Sequence, residues 1–180
     1  DNAKLCRSIP PETPIPDMTQ GGRAPSVVHE YRDTDGHLVC LIARYQNGQE
    51  KSFCPFTLWE TEPGVFHWTK KGLPDKRPPY RSPDVRAHPD KLVILTEGEK
   101  CADAVAEAFP SYVSISWMGG SNAVEKTDFS PLQGRDVIIV PDDDTAGKKA
   151  TDSLIQALKK VDVDRLRCVD TARLAAQMGH

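Results

Sequence analysis

Leu92-Val93-Ile94-Leu95-Thr96-Glu97-Gly98-Glu99-Lys100 is the stretch on which the fold turns. Its apolar run, rich in β-branched residues, reads as a buried strand. The run stops at Glu97-Gly98 and a helical pattern begins at once. Ala102, Val105, Ala106 and Phe109 share one face of that helix, and Pro110 ends it. The same device returns at Val137-Ile138-Ile139-Val140, followed by Pro141-Asp142-Asp143-Asp144-Thr145-Ala146-Gly147 and a helical pattern over 145–160. Two buried strands therefore end in acid. Open α/β sheets bind ligands outside the carboxyl ends of their strands, so adjacent strands would bring Glu97, Asp142 and Asp144 together.

The flanking sequence completes an α/β pattern. Residues 112–117 read as a strand entering Met118-Gly119-Gly120-Ser121-Asn122, residues 166–169 as a further strand, and 171–178 as the start of a helix. Strands alternating with helices predict a parallel, Rossmann-like sheet covered by helices on both faces. Upstream the pattern is β. Strands over 27–31, 37–45, 51–56 and 65–68 are joined by Asp33-Thr34-Asp35-Gly36 and Asn47-Gly48, both turn sequences. They predict a small antiparallel lobe. Before it, Pro10, Pro11, Pro14, Pro16 and Gly21-Gly22 read as an extended arm or linker. The expected organisation is an arm over 1–26, a β subdomain with a connector over 27–90, and an α/β domain over 91–180.

Composition narrows the class of protein. A chain of 180 residues with a net charge of −3 excludes a histone-like basic surface. No apolar run of membrane-spanning length and no signal-peptide pattern occur, so the reading is soluble, cytoplasmic and without a membrane partner. The five cysteines are scattered, with no C-x-x-C pair, and read as reduced thiols without structural zinc. Asp1 is not an initiator methionine, and the chain reads as part of a longer protein.

Carboxylates gathered at one point repel one another unless a cation neutralises them. Hard oxygen ligands suit Mg²⁺, which takes one or two carboxylates and completes its shell with water and substrate phosphates. Gly98 permits close approach of a substrate, Lys100 lies in the first helical turn within reach of a phosphate, and Gly119-Gly120-Ser121 offers backbone N–H groups. Such a site carries out phosphoryl transfer. Taken singly, each feature has a plainer reading: Glu-Gly as a turn, the Asp run as an N-cap, Gly-Gly as a loop. The connector holds Lys70, Lys71, Lys76, Arg77, Arg81 and Arg86 against Asp75 and Asp84, with Trp68 and Tyr80 interleaved. Cations among aromatics suit single-stranded nucleic acid, and a solvated linker is the alternative. The histidines His29, His37, His67 and His88 show no ligand spacing. A Walker B element is a weaker reading of the same strand end, since no G-x-x-x-x-G-K-[ST] accompanies it. A phosphorelay receiver would need paired acids after its first strand and a late lysine.

Thr96-Glu97-Gly98-Glu99-Lys100, Met118-Gly119-Gly120 and Pro141-Asp142-Asp143-Asp144-Thr145-Ala146-Gly147 together resemble the TOPRIM domain of DNA primases, topoisomerases and some nucleases. The likeness covers about residues 91–169, and its particular motif forms most resemble phage and plasmid primase-helicases. Tyr31-Arg32-Asp33-Thr34-Asp35-Gly36 and the Ala43-Arg44-Tyr45 strand resemble the segment that precedes TOPRIM in those proteins. The resemblance implies Glu97 as the acid of the first motif and Asp142 and Asp144 as the metal-binding pair, with Mg²⁺ or Mn²⁺. It implies a DNA primase core that joins nucleoside triphosphates on a single-stranded DNA template, which Arg44 and the connector cations would help to hold. It also implies zinc-binding and helicase or ATPase regions in a longer chain. The family often has a further acidic motif after the next strand; Asp170 is near, but the better match would lie beyond His180. A metal-dependent nuclease, or a nucleic-acid-binding module without catalysis, are the other readings of the same residues.

Overall fold

The first unit of the chain, Asp1–Asp75, is an antiparallel sheet in which β-rich runs alternate in burial at its edge over 27–32 and are buried on both faces at its centre over 39–43. In the computed structural model, which describes residues 3–171, 173 and 177, this sheet has five strands. They are β1 (Lys4–Leu5), β2 (Val27–Arg32), β3 (Leu38–Asn47), β4 (Glu50–Glu62) and β5 (Val65–Thr69), in the order β1-β4-β3-β2 with β5 also on β4. Met18, Leu41, Ala43 and Phe56 bury against Tyr45, Cys54 and Trp68. Burying a large apolar side chain of this kind contributes about 1.5–3 kcal/mol.

Two features of this unit depart from the expected pattern. β4 continues past Pro55 to Glu62, where the sequence suggests an end at Phe56. Counted from the Asn47–Glu50 pair that closes the two-residue turn, Pro55 faces Ile42 at a position whose missing N–H points away from β3. The ladder loses nothing there. The proline-rich N-terminus is not a free arm. Leu5 pairs with Trp59, the Cys6 amide donates to the Leu58 carbonyl at 2.9 Å, and Ile9 and Met18 are buried. The Trp68 indole donates to Pro14 O at 3.0 Å, and the Tyr45 hydroxyl donates to Met18 O. Prolines need no ladder donors, so a few apolar anchors are enough to lay the segment on the sheet.

The second unit, Lys76–His180, is built on a parallel sheet. Its strands are β6 (Val93–Thr96), β7 (Val113–Ser116), β8 (Asp136–Val140) and β9 (Arg165–Cys168), in the order β7-β6-β8-β9. Helix α2 (Glu99–Ala108) joins β6 to β7, and α3 (Thr145–Lys160) joins β8 to β9. These crossovers leave the sheet centre in opposite directions, and right-handed connections then put α2 and α3 on opposite faces. Val93, Leu95, Val113, Ile115, Val137 and Ile139 form one buried layer with Ala150, Leu154 and Leu158 of α3. α2 packs on β6 and β7 through its buried Ala102. The connection from β7 to β8 has no α-helix; it uses two short 3₁₀ turns, Ser121–Lys126 and Ser130–Leu132.

Residues 76–90, grouped by sequence with the β subdomain, pack within this second unit. The Arg77 amide donates to Lys126 O and the Tyr80 amide to Ser116 O, each at 2.8 Å. A short helix, α1 (Ser82–Ala87), lies inside what reads as a connector, with Pro83 in its first turn, where a missing N–H is harmless. Arg135 ties down the end of α1 by donating to the carbonyls of Val85, His88 and Lys91 at 2.6–2.8 Å. The expected helix over 171–178 falls largely outside the described residues. The five cysteines are free thiols. Among the described residues no helix is long and apolar enough to cross a membrane.

Candidate active site

The site begins with sheet register. Thr96 of β6 pairs with Val140 of β8 on one side and with Ser116 of β7 on the other. The three strands therefore end level, and Glu97, Pro141-Asp142 and Trp117-Met118 leave the same edge. Because β6 runs on to β7 and β8 to β9 in opposite directions, the gap between β6 and β8 is the topological switch point of the sheet. Glu97 stands on one side of it and Asp142 on the other.

Asp144 has a structural task as well as a place at this edge. It is the N-cap of α3, and its Oδ1 accepts from the Gly147 amide at 2.6 Å. That satisfies one of the helix's otherwise unpaired donors and leaves Oδ2 for another ligand. Gly147 is fixed by packing. A Cβ there would lie 2.3 Å from the Asp142 carbonyl oxygen, a backbone contact that no rotamer can relieve. The first turn of α3 thus presses on the chain that carries Asp142. Asp142 and Asp143 are exposed, and among the described residues no group donates to the Asp142 carboxylate.

The glycines differ in what requires them. Gly119, at φ +94°, and Gly120, at φ +67°, turn the chain out of β7 through backbone space that side chains disfavour. The Gly120 carbonyl accepts from the Trp117 indole at 2.9 Å and from the Ala123 amide at 3.0 Å, which holds the loop. A Cβ on Gly119 would lie 3.3 Å from Arg77 Nη1, so the Arg77 guanidinium lies against this loop. Sequence reading included Arg77 among the basic residues but had no signal for this contact. Gly98, the N-cap of α2, is extended, and a Cβ there would meet nothing of this chain within 4 Å. Lys100 is exposed in the first turn of that helix.

The six basic residues read as a nucleic-acid set divide between the units: Arg44, Lys70 and Lys71 in the first, Lys76, Arg77 and Arg81 in the second. Several are engaged. Arg81 pairs with Asp84 at 2.6 Å and Asp103 at 3.3 Å. Beside it the Tyr80 hydroxyl donates to Asp103 at 3.2 Å, and burial, reinforced by Asp103, pushes the phenol pKa up to about 12. Lys76 donates to Glu125 O at 2.7 Å. Lys71 stands 6.0 Å from the Trp59 ring centre, at the limit of a cation–π contact. Lys70 is exposed, and Arg44 donates to Gln46 Oε1 at 3.0 Å.

Among the described residues one group of three ligating side chains closes to within 4.8 Å, and it is Asp33, Asp35 and His37. Glu97, Asp142 and Asp144 do not close that tightly. His37 thus has acidic neighbours that its spacing in the sequence did not suggest. Asp33 Oδ1 accepts from the amides of Asp35 and His37, both at 2.9 Å, and Oδ2 lies 3.2 Å from His37 Nδ1. These are the bonds of a turn between two strands.

No family model and no curated protein matches the sequence. Solved structures do match the fold. One is described as the DnaG catalytic core, with 17% identity over 84% of this chain and 48% of that one, at a TM-score of 0.50. Another is a DNA primase domain from Pseudomonas aeruginosa, with 15% identity over 83% of this chain and 46% of that one, at a TM-score of 0.52. The chain spans about half the length of both. The two-unit arrangement of an antiparallel β lobe followed by a parallel α/β sheet is therefore a fold of the DnaG primase core type.

Proposed function

We propose that this chain is the nucleotidyl-transfer core of a DNA primase, joining ribonucleotides on a single-stranded DNA template. The observation that carries this reading is the placement of Glu97, Asp142 and Asp144 around the switch point of a sheet whose fold is that of primase cores.

The donor set fits a divalent cation that keeps much of its water. Asp142 is exposed with no internal donor, and Asp144 has one oxygen outside its capping bond. An open set of hard oxygens, rather than a closed cage, is what Mg²⁺ uses when phosphates complete its shell. Asp142 and Asp144 would hold the ion, and bound there it supplies charge neutralisation at the reacting α-phosphate. Glu97, across the gap, is placed to hold the proton of an attacking 3′-hydroxyl or to serve as a further ligand. The open space over Gly98 leaves room for the nucleotide, and Lys100 in the first turn of α2 and Arg77 beside Gly119 supply cations for its phosphates. The Gly119-Gly120 loop positions Arg77 there.

The test is template-directed synthesis: a single-stranded DNA template, ribonucleoside triphosphates and Mg²⁺, with products resolved by length. A dinucleotide that disappears with Asp142→Ala supports the reading. Template cleavage without synthesis would make the protein a nuclease using the same acids. No metal-dependent turnover, with DNA binding unchanged by Asp142→Ala, would make it a binding module.

A further inference from the structure

One face of the β unit is buried at His29, Tyr31, Cys40 and Ile42 but opens to solvent toward the β3–β4 turn. Val27 of β2 faces Arg44 of β3, and Arg44 faces Phe53 of β4; two residues nearer the turn, Gln46 faces Lys51. Side chains alternate along strands, so these five share one face. It is the face opposite Leu41, Ala43 and Phe56, which bury with Met18. Phe53 is 51% exposed and Val27 42%, so neither is held by the core. Glu30 and Glu50 alternate to the other face, and among the described residues no carboxylate pairs with Arg44 or Lys51. The Arg44 Nε is shielded from water without an acceptor, and its Nη2 donates to Gln46 Oε1 at 3.0 Å on the same face.

We propose that this face is a stacking platform for single-stranded DNA, in which Phe53 carries a base and Arg44 and Lys51 carry the adjoining phosphates. The charge is complementary to a polyanion: two cations and no acid on the row. The apolar area is a single aromatic flanked by Val27, too small for a protein interface core but the size of one base. Cross-strand neighbours lie about 5 Å apart and alternate residues along a strand about 7 Å. Arg44 therefore adjoins the ring and Lys51 stands one step along it. Stacking on an exposed ring with cations beside it binds single strands without sequence preference, because every base has a π-face. The proposal rests on the primase-type reading above, which calls for a single-stranded template.

Fluorescence anisotropy of a labelled oligothymidylate with the whole chain tests it, using wild type, Phe53→Ala, Phe53→Trp and Arg44→Ala/Lys51→Ala, with a blunt duplex as control. Phe53→Ala is expected to weaken oligothymidylate binding about tenfold and to leave duplex binding unchanged, since paired bases cannot reach the ring. The double variant is expected to flatten the salt dependence. Phe53→Trp is expected to keep affinity, with its indole emission quenched on binding, and that readout stands even if Phe53→Ala folds poorly. Wild-type binding that Phe53→Ala leaves intact, with no quenching in Phe53→Trp, overturns the platform alone. Absence of wild-type binding overturns the template reading and the platform with it.

Discussion

Two groups of acids in this molecule contrast in how they come together. Asp33, Asp35 and His37 bring their ligating atoms within 4.8 Å of one another, and all three belong to one turn whose amides Asp33 accepts from. Glu97, Asp142 and Asp144 lie looser, yet they come from two strands far apart in sequence and meet through the sheet. The first group is close because a turn needs an acceptor for its amides. In the second, Asp144 caps α3 with one oxygen and keeps the other outside that bond, and among the described residues no group donates to the Asp142 carboxylate. Proximity alone is thus a poor guide to chemistry here. Acids from separate strands that meet at a switch point are the better one.

Substitutions can break or sharpen that contrast. The largest expected effect is on turnover. Asp142→Ala should lower template-directed synthesis on the order of a hundredfold or more, comparable to losing one electrostatic group at a transition state. Its urea midpoint should stay where it is, because nothing in the fold leans on that carboxylate. Next comes Gly147→Ala, which drives a methyl group to 2.3 Å from the Asp142 carbonyl oxygen. It should destabilise the chain by about 1–3 kcal/mol in chemical denaturation and reduce activity by displacing Asp142. Asp144→Ala should cost about 1 kcal/mol through the lost cap, whereas Asp144→Asn should recover most of that stability without recovering turnover. Smallest is Asp33→Ala, about 1 kcal/mol or less, seen as faster hydrogen exchange at the amides of Asp35 and His37 with synthesis unaffected.

Local signals explain what the sequence disclosed. β6 and β8 are short β-branched runs that stop at acids, and α3 spans the residues its periodicity marks, from the Asp144 cap to Lys160. The β2–β3 and β3–β4 turns carry their own chemistry in Asp33–Gly36 and Asn47-Gly48. What stayed hidden depends on partners distant in sequence. Pro55 reads as a strand end until β3 shows that its missing N–H is not wanted. Pro83 reads as a breaker, although it starts α1. The N-terminal prolines look free until Ile9 and Met18 find the sheet. At the site, the strand-end acids were legible, whereas the seat of Arg77 against Gly119 was not, since no spacing links residues 77 and 119. Phe53 looked like one more strand aromatic; only the register set it beside Arg44 at the exposed end of a sheet face.

Calorimetric titration of Mg²⁺ and Mn²⁺ into wild type, Asp142→Ala/Asp144→Asn and Asp33→Ala/His37→Ala would test the central claim most directly. The account predicts that binding disappears in the first variant, whose α3 cap is preserved, and persists in the second. Binding that survives at the switch-point variant and vanishes at the turn variant would contradict it.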